Sequence, residues 1–423
     1  MRQLYTLLIY GLLPLIIIFL KQKYKHESNY IKRFHERFGL FPNHKKISKN
    51  TIWIHAASLG EVKGISPIID WLLKQKIDSI LVTTNTPSSA MYLKKQYQNQ
   101  LIHAYLPFDI SLCINKFLEF FKPNVNIIME KELWPNLIHH VNKKKIPVLL
   151  VNARIDEKSY KQYQWIKPLI KETVQKITHI MVQSEQERYL FIKLGAKSET
   201  VSVTGNLKFD IILNKTCVRT GIEIKNKLKQ KRLILMATST HEGEESLLIN
   251  CYQALKITLP NLLLIIMPRH IERTKDIIQL CNSQKLTYAL QSEKDTLPEK
   301  KDIYLINTYG NAIKYLASSD IVFVGGSMVA IGGHNILEPA MLNKPIIVGP
   351  FMHHFKQICK EFVSKNALLQ CQNKQDFEQT LHKLCTNNVL REKISLNAQI
   401  LCKKSKGSLV KHCKILQSYI IKK

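Results

Sequence analysis

Residues 51–84 read TIWIHAASLGEVKGISPIIDWLLKQKIDSILVTT, and their pattern indicates the fold class. The runs at 52–56 and 80–84 are short, aliphatic and β-branched, as buried strands are. The segment at 62–74 between them is amphipathic and long enough for a helix. A strand, a helix and a second strand in this order predict two parallel strands joined by a helical crossover.

The same alternation continues through the rest of the chain. Further predicted strands lie at 125–129, 148–151 and 180–183 in a first half, and at 233–237, 262–267, 303–307, 321–324 and 345–348 in a second half. A polar, Lys-rich stretch at 214–231 separates the halves. The predicted fold class is therefore α/β with two doubly wound halves, whose ligands bind beyond the carboxyl ends of the strands.

Composition limits the classes of protein that this chain can be. Its 423 residues fit two domains of roughly 150 to 200 residues each. A net charge of +30 with 45% hydrophobic residues excludes a disordered polyelectrolyte and predicts an anionic partner, which composition leaves open among nucleic acid, an acidic membrane and a phosphorylated ligand. Nine scattered cysteines without a C-x-x-C pair predict reduced, mostly buried thiols.

The N-terminus predicts a membrane anchor. Residues 4–20 carry no charge and are followed by Lys21, Lys23 and Lys25. As a helix this run covers roughly 26 Å, slightly less than a hydrocarbon core of about 30 Å, so it either spans the bilayer or inserts part way. The lysines place the body of the protein in the cytoplasm. The next segment, 30–42, mixes basic and aromatic residues, which fits either a lipid interface or an amphipathic connector.

Two carboxylates follow predicted strands of the first half. Glu61 comes after Ser58-Leu59-Gly60, at the start of a predicted helix, where it can act as a general base towards a hydroxyl or simply cap the helix. Glu130 ends a buried strand, two residues before Glu132, and either carboxylate can bind cationic or hydroxylated groups or hold the turn. Position alone does not separate these alternatives.

The second half carries features that suit a phosphate. They are a capping segment STHEGEE at 239–245, PRH at 268–270, and glycine-rich turns at 325–327 and 332–333. Helix N-termini, an arginine fork and glycine turns each favour an oxyanion. The sequence lacks a P-loop, H-E-x-x-H, G-x-S-x-G or DxD motif, so it predicts no P-loop NTPase, zinc protease, α/β-hydrolase or metal-dependent transferase of the single-sheet kind.

An ordered set of motifs resembles one known family. The set runs SLGE at 58–61, YLPFD at 105–109, MEKELWPNL at 129–137, NARI at 152–155, GNLKFD at 205–210, STHEGEE at 239–245, PRH at 268–270 and GGHNILEPA at 332–340. Together they resemble the 3-deoxy-D-manno-octulosonic acid (Kdo) transferases of lipopolysaccharide synthesis, from the N-terminal apolar segment to about residue 360.

The resemblance implies a specific fold and reaction. The fold would be GT-B, with two Rossmann-like domains facing a central cleft and an N-terminal anchor at the cytoplasmic face of the inner membrane. The donor would be CMP-Kdo and the acceptor lipid IVA, with inversion at the sugar and with neither metal nor cofactor. An anionic membrane would be a partner and nucleic acid would not.

The resemblance also implies roles for individual residues. Glu61 would be the catalytic base, and Glu130 and Lys208 would support the transition state. The implied CMP-binding residues are Pro268, Arg269, Tyr309, Gly310, Asn311, Asn335, Ile336, Leu337 and Glu338. One departure is Ser89, because relatives usually have a glycine near this position.

We expect four segments: an anchor at 1–25, an acceptor domain at 26–213, a linker at 214–231 and a CMP-Kdo domain at 232–423. Two other functions stay open at this point. A sugar-nucleotide epimerase would share the two-domain architecture but needs no apolar N-terminus. A basic nucleic-acid-binding protein would explain the charge but not the Glu and Arg residues that follow the strands.

Overall fold

The computed structural model describes residues 1–44, 50–75, 77–210, 213–227, 232–293 and 297–420. The chain forms two compact units, one made of Met1–Asp210 with Lys406–Lys423 and the other of Ile211–Ser405. Over the described residues each unit contains one seven-stranded sheet in which all pairings are parallel. The predicted α/β class is confirmed.

The first unit alternates strands and helices from residue 51 onwards. Its elements are α1 (Arg2–Lys23), α2 (Ser28–Lys32), β1 (Thr51–His55), α3 (Leu59–Leu73), β2 (Ser79–Thr84), α4 (Pro87–Tyr97), β3 (Ile102–Tyr105), α5 (Ser111–Phe121), β4 (Val125–Met129), α6 (Pro135–Lys143), β5 (Val148–Ala153), α7 (Glu157–Trp165), α8 (Lys167–Gln175), β6 (His179–Val182), α9 (Glu185–Lys193) and β7 (Val201–Val203). Short 3-10 helices lie at Phe34–Phe38, Gln98–Gln100, Ser198–Thr200 and Leu207–Asp210.

The second unit repeats the pattern. Its elements are α10 (Lys215–Asn226), β8 (Leu233–Thr240), α11 (Glu244–Thr258), β9 (Leu262–Pro268), α12 (Thr274–Ser283), β10 (Tyr288–Leu290), β11 (Ile303–Leu305), α13 (Ala312–Ser318), β12 (Ile321–Val324), α14 (Leu337–Met341), β13 (Ile346–Val348), α15 (Lys356–Ser364), β14 (Leu369–Gln370), α16 (Lys374–Thr386) and α17 (Asn388–Ser405). Two further 3-10 turns lie at Ile271–Arg273 and His353–Phe355. The last helix of the chain, α18 (Ser408–Ile420), belongs to the first unit.

The order of the strands in each sheet determines where a crevice for a ligand forms. The first sheet runs β3-β2-β1-β4-β5-β6-β7 and the second β10-β11-β9-β8-β12-β13-β14. The order therefore reverses between β1 and β4 in one sheet and between β8 and β12 in the other, and a crevice opens at such a reversal beyond the carboxyl ends. Central strands are buried along their whole length, as parallel strands covered on both faces are.

Packing on both faces of the first sheet holds these ends in place. Trp53 of β1 stacks near Phe117 of α5 on one face, with ring centroids 4.6 Å apart. On the other face Ile54 lies in the same apolar cluster as Val62 and Ile65 of α3. Burial of side chains of this size contributes about 1.5–3 kcal/mol each, so the sheet is a firm support for the residues at its edge.

Two expected segment boundaries differ from the structure. Residues 214–231 were expected to be a linker, of which 228–231 lie outside the described residues. Most of the rest is α10, which packs on α13, where a Cβ on Gly221 would lie 2.1 Å from the backbone oxygen of Lys314. Residues 406–423 were expected in the second domain, but Leu416 of α18 is buried in the core of the first unit. The helix has no apolar run that would mark it in the sequence, because Gly221 and Ile224 are its only buried residues.

The N-terminal region separates into a helix and a packed connector. The helix α1 is long and apolar enough to cross a membrane by length and composition, as predicted. In the connector, Tyr30, Phe34, Arg37 and Phe41 are buried within the first unit. The basic and aromatic pattern at 30–42 is therefore that of an amphipathic connector and not of a lipid interface. All nine cysteines, which lie in the described part of the chain, are free thiols, and seven of them are buried.

Candidate functional site

Glu61 lies in the first turn of α3, directly after β1. Its carboxylate accepts hydrogen bonds from the backbone N–H of Ala57 at 2.8 Å and from the Ser58 hydroxyl at 3.1 Å. The Ser58 oxygen in turn accepts from the Glu61 N–H at 3.4 Å, so Ser58 is the N-cap of α3 and the Glu61 carboxylate holds the two residues at the start of the helix. Glu61 therefore helps to cap the helix, which is one of the two roles, cap or general base, that its position in the sequence allowed.

The surroundings of Glu61 also suit a base. Burial, followed by repulsion from the carboxylates of Glu132 and Glu130, raises the pKa of Glu61 to about 7. A carboxylate with this pKa holds and releases a proton near neutral pH, which is the range a general base needs. Capping and proton transfer are compatible, because the capping bonds leave the second lone pair of each oxygen.

Glu130 holds two cations at the same edge of the sheet. The Arg154 Nε lies 2.7 Å from one Glu130 oxygen, and the Lys208 Nζ lies 3.2 Å from the other. Glu130 is only 3% exposed and has φ of +58°, a left-handed conformation that a non-glycine residue adopts at a cost of roughly 1–3 kcal/mol. The strain turns its side chain back from the end of β4 to the two cations.

Close packing brings Lys208 towards α3. Gly64 lies one turn after Glu61, and a Cβ at this position would be 2.9 Å from Met129 Cε and 3.9 Å from Lys208 Cε. The absence of a side chain at Gly64 therefore lets the Lys208 stem lie against the helix that carries Glu61. The structure thus collects Glu61, Glu130 and Lys208, the three predicted catalytic residues, at the β1 and β4 ends.

Sequence reasoning gave no catalytic role to three residues of this cluster. Arg154 was quoted only as part of a motif, Glu132 was grouped with Glu130 as a carboxylate that can bind a ligand or hold the turn, and His55 was expected only to be structural or to form hydrogen bonds. The Glu132 carboxylate accepts a hydrogen bond from Trp134 Nε1 at 2.8 Å, and its Oε2 lies 3.7 Å from Nε2 of the buried His55 ring. Burial raises the pKa of Glu132, but attraction to His55 and the Trp134 bond outweigh it, so the pKa ends below its usual range.

In the second unit an internal carboxylate occupies the glycine-rich turn. Glu244, which is fully buried, accepts backbone hydrogen bonds from Gly326 at 2.8 Å, Met328 at 2.9 Å, Ser327 at 3.0 Å and His241 at 3.0 Å. These N–H groups were expected to be free for an oxyanion, but Glu244 already takes them. The turn is therefore a rigid support, and burial raises the pKa of Glu244.

Arg269, His241 and His334 lie around this turn. Pro268 ends β9 beside Thr240 of β8, and the exposed Arg269 donates its N–H to the Thr240 oxygen at 3.0 Å. The Nε2 atoms of His241 and His334 are 2.8 Å apart, which joins the loop after β8 to the loop after β12. Among the described residues no group of three or more His, Cys, Asp or Glu side chains is arranged to hold a metal ion.

The other predicted donor residues follow neighbouring strands. After β11, the Tyr309 side chain is 74% exposed, Gly310 has φ of +91°, and Asn311 Nδ2 donates to Thr308 Oγ1 at 2.7 Å. Before α14, the Asn335 oxygen accepts from the Leu337 N–H at 3.0 Å. Ile336 and Leu337 are fully buried, so only the backbone of these two residues is suited to contact a ligand, whereas Asn335 and Glu338 are half-buried.

Comparison with known proteins identifies the family. A family model described as 3-deoxy-D-manno-octulosonic-acid transferase (kdotransferase) matches residues 32–211. A relative in Haemophilus influenzae named 3-deoxy-D-manno-octulosonic acid transferase is 32% identical over 421 residues, which is 99% of either chain. The chain belongs to the Kdo transferase family. Membership confirms the resemblance of the ordered motifs and the prediction of a glycosyltransferase enzyme.

Solved structures agree with the Kdo transferase assignment at the level of the fold. A glycosyltransferase from Rickettsia africae covers 89% of this chain and all of its own, with a TM-score of 0.53 and 13% identity. A UDP-GlcNAc 2-epimerase from Neisseria meningitidis covers 85% of this chain and all of its own, with a TM-score of 0.55 and 14% identity. The expected GT-B fold is confirmed, and at these identities nothing beyond the fold follows.

The departure at Ser89 has a local explanation in this Kdo transferase. Ser89 is fully buried, its hydroxyl lies 2.6 Å from Thr86 Oγ1, and its N–H donates to the same atom at 3.4 Å. The pair caps α4 and needs no glycine. The preceding Asn85 donates its N–H to the Ala57 oxygen at 3.0 Å, which ties this loop to the Glu61 turn.

Proposed function

We propose that this Kdo transferase moves Kdo from CMP-Kdo to lipid IVA with inversion, without a metal, and with Glu61 as the general base. The observation that carries the proposal is the Glu61 carboxylate at the switch point of the first sheet, with a pKa raised to about 7. A base of this strength is what deprotonation of a sugar hydroxyl at neutral pH requires.

The bonds formed and broken balance without a further reactant. The acceptor hydroxyl oxygen bonds to the anomeric carbon of Kdo as Glu61 takes its proton. The bond from that carbon to the CMP phosphate oxygen breaks, and CMP leaves with the electron pair. Attack opposite to the leaving group inverts the carbon. CMP is a stable anion, so departure needs fixed positive charge more than a proton.

Glu130 and Lys208 support this reaction through charge. Glu130 orients Lys208 and Arg154 by ion pairs of 3.2 and 2.7 Å, so the two cations are positioned before substrate binds. Preorganised charge stabilises a transition state without the cost of reorienting dipoles during reaction. We assign Lys208 to the negative charge that develops on the departing phosphate, and Glu130 to the positioning of Lys208.

The second unit would bind CMP. Arg269 is exposed at the end of β9, where a guanidinium can meet a phosphate with two hydrogen bonds. Neighbouring strand ends would contact the nucleotide through Pro268, Tyr309, Gly310 and Asn311. The start of α14 would contact it through Asn335, Ile336, Leu337 and Glu338.

The body of the protein would lie on the cytoplasmic side of the inner membrane. Its excess of 62 basic over 32 acidic residues is suited to the anionic lipids there.

Replacement of Glu61 tests the proposal. Glu61→Gln keeps one oxygen that can accept from the Ala57 N–H but cannot act as a base, so we expect Kdo transfer to fall by on the order of 10²- to 10⁴-fold. CMP-Kdo binding, measured by calorimetry, should stay within about two-fold of the parent. Glu157→Gln is the matched control, because Glu157 also lies in the first turn of a helix but is exposed. Near-normal transfer by folded Glu61→Gln protein would contradict the assignment.

The epimerase and nucleic-acid alternatives are less favoured. An epimerase would act on UDP-N-acetylglucosamine alone, and incubation with that compound followed by sugar analysis tests it directly. A nucleic-acid-binding protein would show strongly salt-dependent affinity for DNA.

A further inference from the structure

The helix α1 has two different faces. Side chains spaced as on one helical face, at positions 2, 5, 6, 9, 13, 16, 17 and 20, are half-buried against the first unit. The opposite face consists of large apolar side chains that are 49–68% exposed: Leu4, Leu7, Leu8, Leu12, Leu15, Ile18 and Phe19. The helix is therefore covered along its length on one side and bare along its length on the other.

The N-terminal end of α1 is fastened to the carboxyl edge of the first sheet. Arg2 Nη1 and Thr6 Oγ1 each donate a hydrogen bond of 3.1 Å to the side-chain oxygen of Asn136. Asn136 lies in the first turn of α6, just after β4, and the buried Asp109 carboxylate accepts its N–H at 3.1 Å. Asp109 itself follows β3.

The C-terminal end of α1 is fastened to the same edge. Ile17, Leu20 and Tyr24 pack against an aromatic cluster of Tyr30, Phe34 and Tyr105, in which Tyr105 is the last residue of β3. The ring centroids of Tyr24 and Tyr30 are 4.8 Å apart, and those of Tyr30 and Tyr105 are also 4.8 Å apart. The Lys21 ammonium lies 5.5 Å from the centre of the Phe34 ring.

These contacts are incompatible with a helix that crosses the bilayer while docked. The helix would be about 33 Å long and would span the hydrocarbon core only if the unit beside it were also submerged. The contact that holds α1 to the unit includes the side chains of Arg2, Asn136 and the buried Asp109, and polar and charged groups of this kind are expensive in the hydrocarbon core. A helix lying in the plane of the membrane avoids this conflict, because only its bare face enters the lipid.

The edge that α1 covers also carries the candidate base. The buried Arg37 guanidinium donates to the Asn85 side-chain oxygen at 2.7 Å and to the hydroxyl of Tyr30 at 3.3 Å. Asn85 donates its N–H to the Ala57 oxygen at 3.0 Å, and Ala57 donates its own N–H to Glu61 at 2.8 Å. A continuous set of contacts thus joins the aromatic cluster under α1 to the Glu61 carboxylate.

We propose that α1 is an in-plane anchor that lays the carboxyl edge of the first sheet against an anionic bilayer. The apolar face listed above enters the lipid, and Lys21, Lys23 and Lys25 meet the headgroups. One consequence rests on the proposed function. A lipid-linked acceptor would reach Glu61 from the membrane side without leaving the bilayer.

The side of the membrane on which the N-terminus lies separates an in-plane helix from a spanning one. A short hydrophilic extension with one cysteine is fused ahead of Met1, in a protein with Cys217 and Cys413 replaced by serine. Inside-out vesicles of the expressing bacterium are treated with a membrane-impermeant maleimide. Lys25→Cys, without the extension, is the control, because residue 25 lies on the cytoplasmic side in either arrangement.

We expect the cysteine of the extension to be labelled within about two-fold of the control in sealed vesicles. Labelling that requires opened vesicles, or that fails in both states, would overturn the proposal.

A second experiment tests the lipid-facing side. Leu8→Glu with Leu15→Glu puts two charges on the bare face, and Gln3→Glu with Gln22→Glu puts two charges on the same helix beyond the two ends of its uncharged run, residues 4–20. We expect the first pair to lower binding to vesicles of phosphatidylethanolamine and phosphatidylglycerol by roughly ten-fold or more, and the second pair by less than about three-fold. Equal binding by both pairs would overturn the proposal. Neither experiment measures transfer, so a failed assignment of Kdo transfer would leave these outcomes unchanged.

Discussion

At the residue scale, Glu61 is set apart by its neighbours. Two further carboxylates, Glu130 and Glu132, lie close enough to raise its pKa, but each has its own cation or hydrogen-bond donors. The surroundings therefore separate two glutamates of one site, because they raise the pKa of Glu61 and lower that of Glu132. This division follows from environment and not from residue type.

The pH dependence of transfer tests that division. Glu61 must be ionised to act, so the rate should rise with pH through a limb near 7 and level off above it. Glu132→Gln removes a like charge, which makes ionisation of Glu61 easier, so the limb should move to lower pH while burial keeps it above the usual carboxyl value. The measurement is kcat/KM against pH for the parent and the variant. A limb that stays in place, or moves to higher pH, would contradict the role given to Glu132.

Position in the sequence predicted that Glu61 and Glu130 lie near the carboxyl ends of buried strands, and the structure has both residues there. It could not find their partners. Arg154 is 24 residues from Glu130 along the chain, and nothing local signals that the strained backbone of Glu130 turns its side chain towards it. Long-range pairing of this kind depends on strand order, which a single sequence does not state.

At the element scale, α18 supports the site from outside its own part of the chain. The buried His412 ring accepts hydrogen bonds at Nε2 from the Asn152 N–H and lies equally close to Thr204 Oγ1, both at 3.1 Å. Asn152 has φ of +50° where β5 bulges, and its side-chain oxygen accepts from the Leu207 N–H at 3.0 Å. Burial lowers the pKa of His412 to about 4, so the ring is neutral and can accept.

Replacing His412 should therefore slow transfer without weakening the nucleotide site. In His412→Leu the Asn152 N–H loses its acceptor, and the segments that carry Arg154 and Lys208 relax, so we expect kcat to fall roughly 10- to 100-fold. CMP affinity, which we propose belongs to the second unit, should not change, and His412→Gln should restore most of the rate because its amide oxygen can accept. Lys411→Ala, at an exposed neighbour, is the control. Unchanged kcat in His412→Leu would show that α18 has no such role.

The turn after β12 is the corresponding support in the second unit. A Cβ on Gly325 would lie 2.4 Å from the Ser239 backbone oxygen, and backbone cannot move aside as a side chain does. Gly325→Ala should destabilise the protein by about 1–3 kcal/mol in urea unfolding and weaken CMP binding in proportion. Gly11→Ala is the comparison, because nothing lies within 4 Å of its Cβ. Equal stability of the two variants would contradict the close approach.

The strands that were not predicted from the sequence are all edge strands. The predicted strands match ten of those observed, whereas β3, β7, β10 and β14 were not predicted, and these four form the edges of the two sheets. They are two to four residues long and only partly buried. A central parallel strand needs a continuous apolar run, but an edge strand needs one apolar face at most, so its pattern resembles that of a loop.

At the scale of the whole molecule, net charge and the apolar helix would act on the same proposed partner, an anionic bilayer. The charge of +30 would attract the protein to an anionic bilayer over a distance. Once the protein touches the bilayer, the bare apolar face of α1 would favour insertion into the hydrocarbon interior. The chain lacks a recognised nucleic-acid motif, so charge alone is a weak argument for DNA.

Salt should separate these two contributions. Raising ionic strength from about 0.05 to about 0.5 M shortens the screening length several-fold, so binding to phosphatidylglycerol vesicles should weaken but persist, because the apolar contact is not screened. Vesicles of zwitterionic lipid should bind more weakly and with little dependence on salt. Sedimentation of the protein with each vesicle type measures both. Complete loss of binding at high salt would contradict an apolar contribution from α1.

The hydrogen bonds of Asp210 close the point at which the second unit is inserted into the first. Its carboxylate accepts from the Gly407 N–H at 2.8 Å and from the Leu409 N–H at 2.6 Å, so the chain leaves the first unit and returns to it at one point. In topology the second unit is an insert, 211–405, within a first fold that the last helix completes. Such an insert is removable in principle, with a short turn from Asp210 to Lys406 in its place, whereas a plain truncation at residue 405 would take α18 and its His412 from the fold that needs them.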